Sequence, residues 1–167
     1  MTHPAGFADE LLLSQCLVRK VRTQGPGGQH RNKTETGVEL VHQPTGVRAQ
    51  ATERRSVGEN MPHALRRLRL ALAVEVRLPV PLGEARSELW LSRVRGGRIT
   101  CSPRHRDYPA MLAEALDMID ACRFDARRAG TRLGCTPTQL VRFVKDHPPA
   151  LAWWNANRGE RGKHSMK

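Results

Sequence analysis

The chain has 167 residues, enough for one ordinary domain or two small ones. Apolar residues make up 39% and aromatic residues only 4%, so any core must be small and aliphatic. Lys and Arg total 28 against 16 Asp and Glu, a formal charge of +12 with a pI near 10.9, which points to nucleic acid or an anionic surface as partner. No apolar run approaches membrane-spanning length, and the first ten residues lack the charged and apolar regions of a signal peptide, so a cytoplasmic chain that avoids the membrane is expected. The four cysteines, Cys16, Cys101, Cys122 and Cys135, show no Cys-x-x-Cys spacing and lie far from any His pair at ligand spacing. They read as reduced thiols, and no metal or cofactor is expected.

Asp9 to Leu13 reads as a short helix capped by Asp9, and Leu17 to Thr23 as a strand. That strand leads into Gly25-Pro26-Gly27-Gly28-Gln29-His30-Arg31-Asn32-Lys33-Thr34-Glu35. Four of the first five residues are Gly or Pro, so the backbone can take conformations closed to other residues and a partner can approach closely. Arg19, Lys20 and Arg22 before it, with Arg31 and Lys33 within it, make a cationic stem suited to phosphate. The stretch holds no nucleophile and no carboxylate before Glu35, so its chemistry must run on backbone N–H groups and the Gln29 amide.

Beyond it, Val38, Leu40 and His42 alternate with Glu39 and Val41, Gln43-Pro44-Thr45-Gly46 makes a turn, and Val47, Ala49 and Ala51 alternate with Arg48, Gln50 and Thr52. This pattern predicts a β-hairpin. A helix follows over Met61 to Arg77, capped by Asn60 with Pro62 in its first turn, and its Leu65, Leu68, Leu72 and Val76 face should cover the sheet. Arg66, Arg69 and Arg77 lie on another side, open either to phosphates or only to solvent. His30, His42 and His63 lack metal spacing and any Asp or Ser partner, which favours surface or RNA contact over catalysis.

These residues resemble a known family. Gly27-Gly28-Gln29 within its Gly-rich setting, the run Val38 to Val47, and Arg55-Ser56 are similar, in order, to the catalytic domain of bacterial-type peptide chain release factors over about Leu11 to Val76. The resemblance implies that Gly27 and Gly28 permit close approach, that Gln29 admits water to the peptidyl-tRNA ester, and that ribosome and ribosomal RNA complete the site. Arg19, Lys20, Arg22, His30, Arg31, Lys33, Arg54, Arg55, Arg66 and Arg69 would then contact RNA. It also implies a glutamine N5-methyltransferase as a partner acting on Gln29.

Leu78-Pro79-Val80-Pro81-Leu82-Gly83-Glu84 reads as a linker, giving a catalytic domain over 1–78, a Pro-rich linker over 79–87, a hairpin-plus-helices domain over 88–156 and a flexible basic tail over 157–167. Glu88 to Val94 and Arg98 to Ser102 read as strands joined at Arg95-Gly96-Gly97, and Met111 to Cys122 as an amphipathic helix. Ala126 to Leu133 and Thr136 to Asp146 form two helices joined through Gly134, the second with a Thr136/Gln139 capping box. They resemble a helix-turn-helix exposing Gln139, Arg142 and Lys145, with Arg142 and Lys145 as RNA contacts.

The expected fold is α+β: a small sheet under a covering helix, then a mostly helical C-terminal domain in a monomer. Only some two dozen residues precede Gly25, too few for a codon-reading domain, so the leading reading is codon-independent peptidyl-tRNA hydrolysis that rescues stalled ribosomes. A non-catalytic RNA- or ribosome-binding protein and a helix-turn-helix DNA regulator stand as alternatives.

Overall fold

The computed structural model describes residues 1–22 and 34–167. The fold is α+β and divides into two compact units, Thr2–Glu75 and Val76–Lys167. No helix among the described residues is long and apolar enough to cross a membrane.

The first unit opens with a 3-10 turn, Pro4–Gly6, and helix α1, Asp9–Ser14. Strands β1 (Cys16–Val21), β2 (Gly37–His42) and β3 (Arg48–Ala51) form an antiparallel sheet in the order β1-β2-β3. The register pairs Cys16 with His42 and Val21 with Gly37, then Val38 with Ala51. The β2–β3 turn forms as its residues predict, with the Gly46 N–H donating to the His42 carbonyl at 2.7 Å and Gly46 at φ +75°. Helix α2, Val57–Glu75, packs on β2 and β3 and buries Ala64, Leu65, Leu68, Leu72 and Ala73 against Val38, Leu40 and Ala51. Each buried leucine there contributes roughly 2 kcal/mol. Strand β1, at the sheet edge, leaves Leu17 and Val18 exposed.

Two expectations in this unit are corrected. Helix α2 starts at Val57, not Met61: Ser56 Oγ caps it by accepting from the Glu59 N–H at 3.1 Å and also donates to the Glu59 carboxylate at 2.9 Å. That cap leaves Pro62 inside the helix and frees Asn60 from capping. His42 is no surface histidine. It is 2% exposed, bonded to Thr45 Oγ1 at 2.7 Å and to Gln15 Oε1 at 2.9 Å. The Gln15 oxygen can only accept, so Nε2 carries the proton and Nδ1 accepts from the threonine hydroxyl. Burial lowers the pKa of the imidazole and holds it neutral.

The second unit is mainly helical. Helix α3, Glu88–Arg93, stands where the sequence predicts a strand, because Ser87 caps it by accepting from the Trp90 N–H at 3.0 Å. Its helical turn places Trp90, fully buried, where Nε1 donates to the Leu133 carbonyl at 2.7 Å. Only Val94–Arg95 (β4) and Arg98–Ile99 (β5) remain as a hairpin. Helix α4, Tyr108–Ala121, starts earlier than predicted and is central, not amphipathic, with Met111, Leu112, Ala115, Leu116, Met118 and Ile119 all buried. Around it pack α5 (Ala126–Leu133), α6 (Pro137–Lys145) and α7 (Pro148–Gly159). Thr136 caps α6 as predicted, but the Gln139 amide oxygen turns away from the cap and accepts from the Ile99 N–H at 3.3 Å.

The Pro-rich segment expected as a linker is held on this unit: the Leu78 N–H donates to Asp117 at 3.1 Å and Arg132 donates to the Pro81 carbonyl at 2.5 Å. Arg77, expected to be open either to phosphates or only to solvent, instead pairs with Asp117 at 3.1 Å and lies over Trp153. Burial pushes the Asp117 carboxyl up to about 6 against the opposing pull of Arg77. The basic tail expected to be flexible also docks. Asn155 bonds both backbone groups of Met166, at 2.7 and 3.0 Å, Arg158 donates to the His164 carbonyl at 2.7 Å, and Lys163 to the Arg123 carbonyl at 2.9 Å. These polar side chains satisfy carbonyls that composition alone marks as solvated. All four cysteines are free, and burial pushes the Cys135 thiol up to about 11, which makes it inert.

The depressed His42 pKa gives a pH signature. The folded state resists protonation, so His42 supports stability fully above the unfolded value of about 6.5 and loses that contribution as pH falls toward the lower folded value. Thermal melts at pH 7.5 and 5.5 should show a larger acid-induced drop for the wild type than for His42→Gln.

Candidate functional site

The Gly-rich stretch is the connection between β1 and β2, whose last pair is Val21 with Gly37. Gly25, Gly27, Gly28, Gln29, His30, Arg31 and Lys33 lie outside the described residues, so the geometry that bears on them is that of the base from which the connection departs.

Two residues build that base. Gly37 sits where a Cβ would stand 2.7 Å from Thr52 Cγ2 and Val21 Cγ2 and 2.9 Å from the Val21 carbonyl, so only glycine lets the two strands close. Asn60, fully buried on α2, donates to the Thr36 carbonyl at 2.8 Å and the Arg54 carbonyl at 3.1 Å, and accepts from the Arg54 N–H at 3.0 Å. One side chain thus joins the returning arm of the connection, the loop after β3 and the covering helix. Neither residue stands out by periodicity. The available signals were a glycine opening a strand pattern and an amide in the first turns of an apolar helix.

The predicted cations fall into distinct settings. Arg22 lies 3.6 Å from Glu35, across the two arms of the connection, and both side chains are exposed, 67% and 49%. Arg19 lies 3.6 Å from Glu39, its partner in register, and Lys20 is exposed on the same strand. Arg54 and Arg55 are exposed in the loop that Asn60 holds beside Thr36. Arg66 is half-buried on α2. Arg69 has a side chain 12% exposed that donates to the Ala5 carbonyl at 2.9 Å and to Asp9 at 2.6 Å, fastening the 3-10 turn and α1 to α2. Arg67, missed in the sequence, likewise fixes the loop after β3 through Glu53 at 2.8 Å and the Gln50 carbonyl at 2.8 Å. Arg142 and Lys145 are exposed on α6, in the other unit.

A small antiparallel sheet under one helix, with a Gly-Gly-Gln connection rising from a tightly closed, cation-rimmed base, defines the class. The RF-1 domain family model matches residues 11–95, half of the chain, and the chain belongs to that family. It is 41% identical over 64 residues to peptide chain release factor 1 of Acidiphilium cryptum, covering 38% of this chain and 18% of that protein. It is 39% identical over 87 residues to peptide chain release factor 1 of Rhodospirillum rubrum, covering 52% and 23%. The same-named protein of Dictyoglomus thermophilum is 42% identical over 55 residues, covering 33% and 15%. The aligned stretches therefore span about a fifth of the relatives' own length. No solved structure matches the chain. The family match runs past Glu75 into the second unit as far as residue 95, further than the motifs alone indicate.

Replacing Asn60 by Ala removes the partner of two backbone carbonyls and one backbone N–H, at a cost of about 2–3 kcal/mol. Urea unfolding should show that loss, and native-state hydrogen exchange should show faster exchange at the Arg54 amide, in the loop after β3, than at the paired amides of β3.

Proposed function

We propose that the chain hydrolyses the ester of peptidyl-tRNA in the peptidyl transferase centre of the large ribosomal subunit, independently of the codon, and so releases stalled ribosomes. The observation that carries this reading is Gly27-Gly28-Gln29 on the β1–β2 connection of a chain in the RF-1 domain family.

Ester hydrolysis needs a water in line with the carbonyl carbon, donors for the developing oxyanion and a proton for the leaving ribose oxygen. The Gln29 amide can orient the water, and its backbone N–H can donate to the oxyanion or the leaving oxygen. Neither group titrates near neutral pH, so Gln29 positions and stabilises while RNA completes the proton path. Gly27 and Gly28 allow the backbone close approach to the tRNA terminus. Arg19, Lys20, Arg22, His30, Arg31, Lys33, Arg54, Arg55 and Arg66 supply phosphate contacts around it. An attached methyl group on the Gln29 amide nitrogen, placed by a glutamine N5-methyltransferase, belongs to the same reading.

Codon independence draws its support from what accompanies the matched region. The chain aligns with a fifth of its relatives, and the rest of it is a helical unit from Val76 to Lys167 whose later part lies outside the family match. A ribosome-state sensor of different construction fits that arrangement.

Release of labelled formyl-methionine from ribosomes with initiator tRNA in the P site tests the proposal, on truncated mRNA and with a stop or a sense codon in the A site. Release that ignores the codon and drops by roughly 100-fold or more in Gln29→Ala is expected. Release only at stop codons would overturn the rescue role, and equal release by both proteins would overturn the role of Gln29.

A further inference from the structure

We infer that the second unit carries an RNA-binding surface of its own, centred on α5 and α6 and separate from the Gly-Gly-Gln connection. Two grooves there share Arg127. One, of about 610 Å3, is lined by Arg127, Arg142, Lys145, Arg158 and Lys167 beside apolar Val141 and Met166. The other, of about 510 Å3, is lined by Arg123, Arg127, Arg128 and Arg132. Among the described residues Asp125 is the one acidic side chain lining either groove, and it caps α5, accepting from the Arg128 N–H at 2.8 Å.

The cations divide by what they already hold. Arg132 and Arg158 are bonded to the Pro81 and Phe124 carbonyls, and so stiffen the walls. Arg123, Arg127, Arg142 and Lys145 are exposed, and their side chains make no hydrogen bond or ion pair among the described residues. Four unpaired cations gathered along one surface repel one another, a cost that a polyanion relieves. The chain also bends to present them. Arg123 and Phe124 both take left-handed backbone, φ 53° and 60°, a conformation disfavoured for residues with a Cβ. The Phe124 N–H donates to the Ile119 carbonyl at 2.8 Å, and its own carbonyl accepts from Trp154 Nε1 at 3.2 Å and Arg158 at 2.7 Å. That turn directs the chain from α4 into α5, with Arg123 at its corner.

The chemistry recognised is a phosphodiester backbone. The Gln139 amide oxygen, which adenine readout in a DNA major groove would use, is engaged by the Ile99 N–H, and the arginines and lysine beside it suit phosphate contacts that fix position without carrying sequence. The choice of RNA over DNA rests on the release-factor reading of the first unit.

The test measures anisotropy of a labelled hairpin RNA with the full chain across a salt series. Arg127→Glu/Arg142→Glu/Lys145→Glu is compared with a control of equal charge change elsewhere on the unit, Arg95→Glu/Arg98→Glu/Arg104→Glu. All six side chains are exposed, so both triples should melt as the wild type does. Where the first triple fails to fold, the single Arg142→Glu makes the same comparison against Arg98→Glu.

The first triple should bind at least about tenfold more weakly, with a log–log salt slope shallower by about 2, while the control stays within about threefold of wild type. Equal losses in the two triples would reduce the surface to general charge and overturn the proposal. So would unchanged binding by the first triple, or tighter binding of duplex DNA of the same sequence. Gln29→Ala run alongside separates the two readings: if the wild type proves inactive in peptide release, the contrast between the triples still stands or falls on binding alone.

Discussion

The side-chain amide of Asn60 is the interaction on which the first unit depends. It is fully buried, reaches three backbone groups in two separate loops, and sits on the helix that covers the sheet. A buried amide with its oxygen and nitrogen both engaged specifies one arrangement, because any slip leaves polar groups unpaired in an apolar setting. Gly37 adds a steric condition beside it, since the strands close to distances that no side chain there would allow. Together they fix where the connection between β1 and β2 leaves the sheet. A group that acts by position and not by ionisation needs its base held in that way.

Charge is divided between two tasks. Arg67, Arg69, Arg77 and Arg93 are paired with Glu53, Asp9, Asp117 and Asp107, and each tie fastens an irregular segment or a helix end to its own unit. These pairs take up four of the 16 acidic residues. The cations at the connection's base and on α5 and α6 are left more exposed, and they account for the strongly basic character of the molecule. High net charge costs some self-repulsion in the folded chain, and binding phosphate offsets it.

The sequence made part of this legible. The β2–β3 hairpin is written in strict alternation around Pro44-Thr45-Gly46, α5 in the run from Ala126 to Leu133 before Gly134, and α6 in the Thr136 cap, so these elements form where predicted. The start of α2 was misread because Asn60-Met61-Pro62 imitates a cap more conspicuously than Ser56-Val57-Gly58-Glu59, which is the one that bonds. Helix α3 stands where a strand is predicted because Leu89-Trp90-Leu91 is rich in strand-compatible residues and outweighs the local Ser87 cap, while the bond that holds Trp90 inside comes from Leu133, far along the chain. Long-range polar contacts were the least visible. The His42–Gln15 bond, Asn60 to Thr36, Arg69 to Ala5 and the docked tail all join residues whose proximity only the fold creates. The class of the candidate site was legible from Gly27-Gly28-Gln29 taken with the run Val38 to Val47 and Arg55-Ser56 in order, whereas the residues that position it were not.

The central claim is that this framework delivers Gln29 to the peptidyl-tRNA ester. An electron cryomicroscopy structure of the chain on a ribosome holding a non-hydrolysable peptidyl-tRNA in the P site tests it most directly. The account predicts Gln29 within about 4 Å of the ester analogue, directly or through one water. Density for the chain elsewhere on the ribosome, with Gln29 far from the tRNA terminus, would contradict it.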